Sequence, residues 1–167
     1  MDIGLLVLRL AVGLTMAAHG GQKLFGWFGG YGIAGTGGFM ESLGFRPGKV
    51  HATLAGLSEL VGGLLIALGL LTPVGAALVL TVMVVAIGSV HLPKGFFVSD
   101  GGFEYNLVIM STVVALAFIG PGAYSLDAVQ GIELSGWLAG VLAVVAGFVL
   151  GIGALASRRP APAARGA

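Results

Sequence analysis

Apolar residues dominate the chain in five long runs that are separated by more polar connections. The runs cover about residues 3–24, 52–71, 73–91, 103–120 and 136–156. Each run has roughly 18–22 residues, and a helix that rises about 1.5 Å per residue needs about 20 to cross a hydrocarbon core. The pattern therefore predicts an all-α membrane protein with five transmembrane helices.

The composition supports this prediction. Hydrophobic residues make up 57% of the chain and charged residues 9%, and the mean hydropathy is +1.04. A soluble domain of this length needs far more charge to cover its surface. We expect one transmembrane domain over residues 1–156, because each helix needs the others to cover its polar side chains. The Pro- and Ala-rich residues 157–167 predict a disordered cytoplasmic tail.

Several functional classes are excluded by what the sequence lacks. There is no cysteine, which excludes disulfides, thiolate zinc sites and cysteine-ligated iron–sulfur clusters. No HxxxH or ExxH spacing indicates a metal site, so none is predicted. No dinucleotide-binding, P-loop or nucleophile-elbow motif is present. The net charge of +1 gives no sign of nucleic-acid binding.

The basic residues predict an orientation. With the N-terminus outside, five spans place every basic residue of the connections and the tail in the cytoplasm, as the positive-inside rule requires. These residues are Lys23, Arg46, Lys49, Lys94, Arg158, Arg159 and Arg165. The C-terminus is then cytoplasmic. Because Arg9 interrupts the apolar core that a signal peptide would need, the first run is expected to be a retained helix.

The first connection, residues 25–48, is rich in glycine and aromatic residues and poor in charge. Aromatic rings suit the headgroup region, which predicts an interfacial segment. Residues Thr36–Leu43 are expected to form a short helix on that interface, with Gly44 ending it. Two interpretations stay open: a simple loop on the membrane surface, or a lid over a site at the cytoplasmic mouth.

Two charges lie within apolar runs, and each lies on a stripe of small residues. Arg9 shares its i+4 stripe with Gly13, Ala17 and Gly21, and Glu59 shares its stripe with Ala55, Gly63 and Ala67. Such stripes are typical of helix–helix contacts. The pattern predicts that the two helices pack together and that Arg9 and Glu59 form a structural ion pair. A proton- or ligand-linked site is the alternative, with His19 as another partner for Glu59.

The remaining polar residues of the runs converge on the cytoplasmic side of the predicted fold. Together with Glu59 they predict a substrate-binding pocket; the alternative is that each side chain is a separate interfacial anchor. The candidate binding residues are His19, Lys23, Glu59, His91, Glu104 and Asn106.

The last run carries two GxxxG motifs, at Gly136 and Gly140 and at Gly147 and Gly151. GxxxG brings helix backbones close together. The motifs indicate packing either within the chain or between protomers of a homo-oligomer.

The combined motifs resemble the DoxX family over about residues 4–128. The resemblance rests on R-L-x-x-G-L at Arg9–Leu14, H-G-x-Q-K-L at His19–Leu24 and Glu59 with its following Gly-Gly-Leu-Leu. It rests also on L-T-P at Leu71–Pro73, the motifs between His91 and Asn106, and G-P-G-A-Y-S-L-D at Gly120–Asp127. It implies a four-helix membrane core of DoxX type, to which the fifth, C-terminal helix is an addition.

The resemblance also implies a redox-linked role in the bacterial plasma membrane, since the family includes the small membrane subunit of a thiosulfate:quinone oxidoreductase. It defines no catalytic residues. We expect a membrane subunit or anchor that contacts other subunits of a redox complex and binds a quinone or small substrate. A flavin or metal partner would have to supply the electrons. Two alternatives remain: a non-enzymatic scaffold that recruits soluble enzymes, and an oligomeric transporter of small molecules or lipids.

Overall fold

A computed structural model describes residues 2–159, and the regular structure in this range is helical. Seven α-helices follow one another in residues 2–159. They are α1 (Asp2–Phe25), α2 (Gly32–Ser42), α3 (Gly48–Leu68), α4 (Thr72–Ala86), α5 (Glu104–Ile119), α6 (Leu126–Gln130) and α7 (Trp137–Ala156). A π-helical turn, Ile87–His91, and a 3₁₀ turn, Leu92–Lys94, extend α4. Residues 160–167 of the predicted tail lie outside the described residues.

Within residues 2–159, four helical segments are long and apolar enough to cross a membrane. They are α1, α3, α4 with its extension to Lys94, and α7, with lengths of 24, 21, 23 and 20 residues. Many large apolar side chains on their outer faces are exposed, as contact with lipid requires. The protein is therefore an all-helical membrane protein. Helix α5 is apolar but has only 16 residues, so the span predicted at 103–120 stays a prediction.

Glycines bring α1 and α3 into close antiparallel contact. A Cβ added to Gly13 would lie 2.5 Å from the backbone nitrogen of Ala67, and one added to Gly63 would lie 2.5 Å from that of Ala17. Real atoms cannot approach so closely, so each position requires glycine. The small-residue stripes of Arg9 and Glu59 thus meet, and the predicted packing of these two helices is confirmed.

Helix α4 is the centre of the apolar core and contacts α3, α5 and α7. Val79 and Leu80 of α4 are fully buried in one cluster with Ile66, Val113 and Leu116. On α7, Gly147 lies against Leu80 and Gly151 against Val84. The second GxxxG motif of α7 therefore packs within the chain, and a homo-oligomer stays a prediction.

Helix α2 contains most of the predicted interfacial helix. It begins at Gly32, four residues before the predicted start, and ends at Ser42. Gly44 follows with a φ of +91°, a left-handed conformation that suits glycine and ends the helix. Helix α2 packs mainly on α3 and lies beside the end of α1.

The connections divide between two ends of the molecule. The Arg9 end comprises the start of α1, the α3–α4 connection and residues 120–136. The Lys23 end comprises the end of α1, α2, residues 92–103 and the residues after α7. Apart from Arg9, the Lys and Arg residues of the described range all lie at the Lys23 end, in these segments or in the adjoining turn and start of α3: Lys23, Arg46, Lys49, Lys94, Arg158 and Arg159.

Candidate functional site

An ion pair between Lys23 and Glu59 lies at the centre of the candidate site. Lys23 is in the last turn of α1, and its Nζ is 2.5 Å from Oε2 of Glu59 on α3. The Glu59 side chain is 3% exposed and that of Lys23 is 24% exposed. The carboxylate is therefore enclosed, while the Lys23 side chain is partly exposed. Gly56 and Gly20 allow this pairing, because they bring the two helices together beside it.

The predicted ion pair between Arg9 and Glu59 is not formed in residues 2–159. Glu59 pairs with Lys23 instead. The guanidinium of Arg9 turns toward the opposite end of the molecule, where its Nη2 donates to the carbonyl oxygen of Tyr124 at 2.5 Å and its Nη1 donates to that of Pro121. The physical reason is that α1 and α3 are antiparallel, so Arg9 lies level with Gly69 at the far end of α3.

A cavity of about 440 Å³, called the lateral cavity below, lies on one side of this ion pair. Helices α3 and α7 each pack on α4 but scarcely contact each other. The cavity occupies the gap between them, and α2 covers one end. Most of its lining is apolar, including Phe39, Leu54 and Leu150, which are exposed on the outer surface. Its polar lining residues are Lys23, His51, Ser58, Glu59, Thr81, Ser89 and His91.

The loop-side cavity is smaller, about 230 Å³, and lies on the other side of the same pair. It is enclosed by α1, α3, α4, α5 and the loop at residues 98–102. The polar side chains that line it are His19, Lys23, Glu59, His91, Tyr105 and Asn106.

Lys23, Glu59, Ala86 and His91 line both cavities. These four residues form the partition between a largely apolar space and a more polar one. Because three of the four are ionisable, the partition is the place where a group bound on one side can exchange protons or hydrogen bonds with the other.

The hydrogen bonds of the two histidines fix their tautomers. Nδ1 of His19 lies 2.9 Å from the carbonyl oxygen of Thr15, and Nδ1 of His91 lies 2.7 Å from that of Gly101. A carbonyl oxygen only accepts hydrogen bonds, so each Nδ1 carries a proton. In the neutral form Nε2 then has the lone pair, which allows both rings to act as proton acceptors.

Asn106 and Glu104, two residues apart on α5, have different surroundings. Asn106 is buried and donates from its Nδ2 to Sδ of Met83 at 3.4 Å. Glu104 lies outside both cavities, and its Oε2 accepts a hydrogen bond from the backbone N–H of Val98 at 3.0 Å. The structure thus brings together five of the six predicted binding residues, and Glu104 instead stabilises the loop beside them.

His51 and Ser58 line the lateral cavity from α3, and the sequence reasoning missed both. A signal was present in the spacing, because Ala55, Ser58 and Glu59 follow His51 at i+4, i+7 and i+8, on one face of the helix. His51 also packs against Phe45, with ring centroids 5.3 Å apart and the ring planes tilted by 46°.

Metal binding has no support from the described residues. No group of three or more His, Asp or Glu side chains in residues 2–159 lies close enough together to hold an ion.

A second buried polar cluster lies at the Arg9 end. Asp127, on the short helix α6, accepts a hydrogen bond from the backbone N–H of Leu71 at 2.9 Å and one from that of Thr72 at 3.4 Å. Its own N–H donates to the carbonyl oxygen of Gly69 at 2.9 Å. Asp127 therefore caps α4, whose first N–H groups have no partner within the helix.

Fold and site together define a multi-span helical membrane protein whose interior holds two cavities around a buried ion pair. Comparison with known proteins places it further. The DoxX family profile matches residues 4–92, and the chain belongs to the DoxX family.

Three relatives are similar over most of their length. The protein named "Putative oxidoreductase CatD" from Bacillus subtilis is 31% identical over 75% of this chain and 86% of its own. The inner membrane protein YqjF from Escherichia coli is 33% identical over 75% and 91% of the two chains. The uncharacterized membrane protein Rv3486 from Mycobacterium tuberculosis is 35% identical over 72% and 77%. No solved structure matches the chain.

Proposed function

We propose that this protein is the membrane subunit or anchor of a redox-linked complex and that its lateral cavity binds a quinone or a similar small substrate. The observation that carries the proposal is the form of this cavity: about 440 Å³ of mostly apolar space that ends on Lys23, Glu59 and His91. A quinone has the matching form, an apolar ring and tail with carbonyl oxygens at the ring. The word oxidoreductase in the name of CatD supports a redox role.

Lys23 would hold a carbonyl oxygen of the ligand. An ammonium group has three N–H donors, and Glu59 engages one of them in the ion pair. The enclosed carboxylate keeps the ammonium at the partition, while the partial exposure of Lys23 leaves its other donors free for a ligand. Glu59 is then a positioning residue.

His91 would exchange protons with the ligand. Reduction of a quinone to a quinol takes up two electrons and two protons, and the described residues show no electron-carrying group. We assign the electrons to a flavin- or metal-containing partner subunit. Protonated Nε2 of His91 would donate one proton to a quinone oxygen, and the second proton would follow by the same route after His91 has been reprotonated. His19 in the loop-side cavity would reprotonate His91, because the two cavities meet at His91.

A binding measurement tests the proposal. Titration of the purified protein in detergent with ubiquinone-1, followed by calorimetry, should show binding that Lys23→Met and His91→Ala each weaken about 10-fold. Glu104→Gln is the matched control and should leave the affinity unchanged, because Glu104 lies outside both cavities. Absence of saturable binding by the parent protein, or equal affinities in all four proteins, would overturn the proposal.

The finer topology is part of the same proposal. Five spans in the bacterial plasma membrane, with the N-terminus outside, would put the Lys23 end in the cytoplasm. The basic residues of that end and the inner-membrane location stated in the name of YqjF support it. Fluorescence of a green fluorescent protein fused to the C-terminus would agree with this orientation. Activity of alkaline phosphatase at the same position would contradict it.

A further inference from the structure

The corner between α2 and α3 forms the end wall of the lateral cavity. Phe39 and Met40 of α2, and Leu43 and Phe45 just after it, all line the cavity. Phe45 is 1% exposed and packs with Met40 and Ala52. A movement of this corner would therefore open the cavity at the Lys23 end.

The residues that follow α7 fasten this corner. Arg158 donates from Nε to the carbonyl oxygen of Leu43 at 2.8 Å, and the backbone N–H of Arg159 donates to that of Gly44 at 2.7 Å. The guanidinium of Arg158 also lies over the Phe45 ring, 5.6 Å from its centroid.

These contacts satisfy a specific need of α2. The last carbonyl groups of a helix have no partner within the helix and carry partial negative charge. Leu43 is the C-terminal cap of α2, so Arg158 brings a donor and a positive charge to the place that needs both. Helix α7 forms one side wall of the cavity and α2 forms its end wall. The bonds from the residues after α7 to the α2–α3 corner therefore join two walls of the same cavity.

We propose that Arg158 is a latch that holds the α2–α3 corner closed over the lateral cavity and so limits access to it from the Lys23 end. This inference goes beyond the proposed function, since it concerns access and holds for any ligand. It gives the interfacial helix the role of a lid, and it makes the residues after α7 the element that fastens the lid.

Arg158 and Arg159 make a matched pair for a test. Arg158 acts through its side chain, whereas Arg159 is exposed and contributes its backbone N–H. Arg158→Met and Arg159→Met remove the same charge from adjacent positions, but only Arg158→Met removes the latch.

The absence of cysteine allows a clean reporter of access. Ser58→Cys introduces one thiol into the lining of the lateral cavity. Its rate of reaction with a bulky water-soluble maleimide is measured in detergent, alone and combined with each arginine substitution. Ser89→Cys is a second reporter in the same lining. Ser99→Cys, in an exposed loop at the same end, controls for a general change in reactivity.

We expect Arg158→Met to raise the labelling rate of both cavity reporters at least 5-fold and Arg159→Met to change it less than 2-fold. The Ser99→Cys rate should stay constant throughout. Equal rates for the two arginine variants would overturn the latch, as would a parallel rise at Ser99→Cys. Since no quinone is present, failure of the latch leaves the quinone proposal intact, and failure of quinone binding leaves the latch intact.

Discussion

The Arg9 end and the Lys23 end both bury charged side chains, but they use them differently. At the Arg9 end, Arg9 and Asp127 bond to backbone groups and line neither the lateral nor the loop-side cavity. At the Lys23 end, Lys23 and Glu59 bond to each other and face two cavities. The difference indicates that the first cluster determines how connections dock on helices, whereas the second leaves polar groups available to a ligand.

The largest expected effect is at Arg9. Arg9→Met removes the donors to the carbonyl oxygens of Pro121 and Tyr124, and charge-assisted hydrogen bonds contribute about 1.5–3 kcal/mol each. We expect the free energy of unfolding, measured in mixed micelles, to fall by about 3 kcal/mol. Arg46→Met, at an exposed arginine, should change it little. Equal stability of the two variants would contradict a structural role for the hydrogen bonds of Arg9.

The next largest effect is a difference in stability loss between substitutions of Lys23 and of Glu59, the two partners of the ion pair. Lys23→Met leaves the enclosed Glu59 without a partner and should cost about 2 kcal/mol of unfolding free energy. Glu59→Gln should cost less than about 1 kcal/mol, because the partly exposed Lys23 can turn its ammonium group toward solvent.

The double variant Lys23→Met with Glu59→Gln completes the cycle. It should recover most of the stability lost in Lys23→Met, since no unpaired charge remains. Additive losses in the double variant would show that the two side chains act independently, contrary to the contact between them.

The seam between α1 and α3 connects the two ends, and Gly13 tests whether it aligns both clusters. Gly13→Ala places a methyl group against the backbone of α3, and overpacking of this kind costs about 1–3 kcal/mol. We expect quinone affinity to fall together with stability. Gly4→Ala is the control on the same helix, because a Cβ at Gly4 meets no atom within 4 Å. Unchanged quinone affinity in a destabilised Gly13→Ala variant would show that the α1–α3 contact does not position the binding site.

The smallest expected loss at the Arg9 end is at Asp127. Asp127→Ala removes the cap of α4 and should cost about 1 kcal/mol, the usual value for a helix cap. Quinone affinity should stay unchanged, which would sharpen the contrast between the two ends. Asp100→Ala, at an exposed carboxylate, serves as the control. Loss of quinone binding in Asp127→Ala would show that the clusters are coupled.

Much of the fold could be predicted because apolar length is a local property. The runs at 3–24, 52–71 and 136–156 correspond closely to α1, α3 and α7, and the stripe of Gly13 correctly predicts contact with α3. The sequence predicts Glu104 beside the other candidate binding residues, whereas in the structure it lies outside both cavities. A loop that bends back to Val98 engages its carboxylate instead.

The sequence by itself determined that the chain enters a membrane, which helices carry charge on close-packing faces, and the family to which it belongs. The tertiary structure alone decided the partners of those charges. Spacing along one helix does not specify how far an antiparallel neighbour is displaced or where a connection folds back. The antiparallel alignment of α1 and α3 places Glu59 beside Lys23. The connection after α5 folds back so that Arg9 donates to the carbonyl oxygens of Pro121 and Tyr124. Cavities likewise depend on helices that do not touch, and the gap between α3 and α7 exists only because both pack on α4.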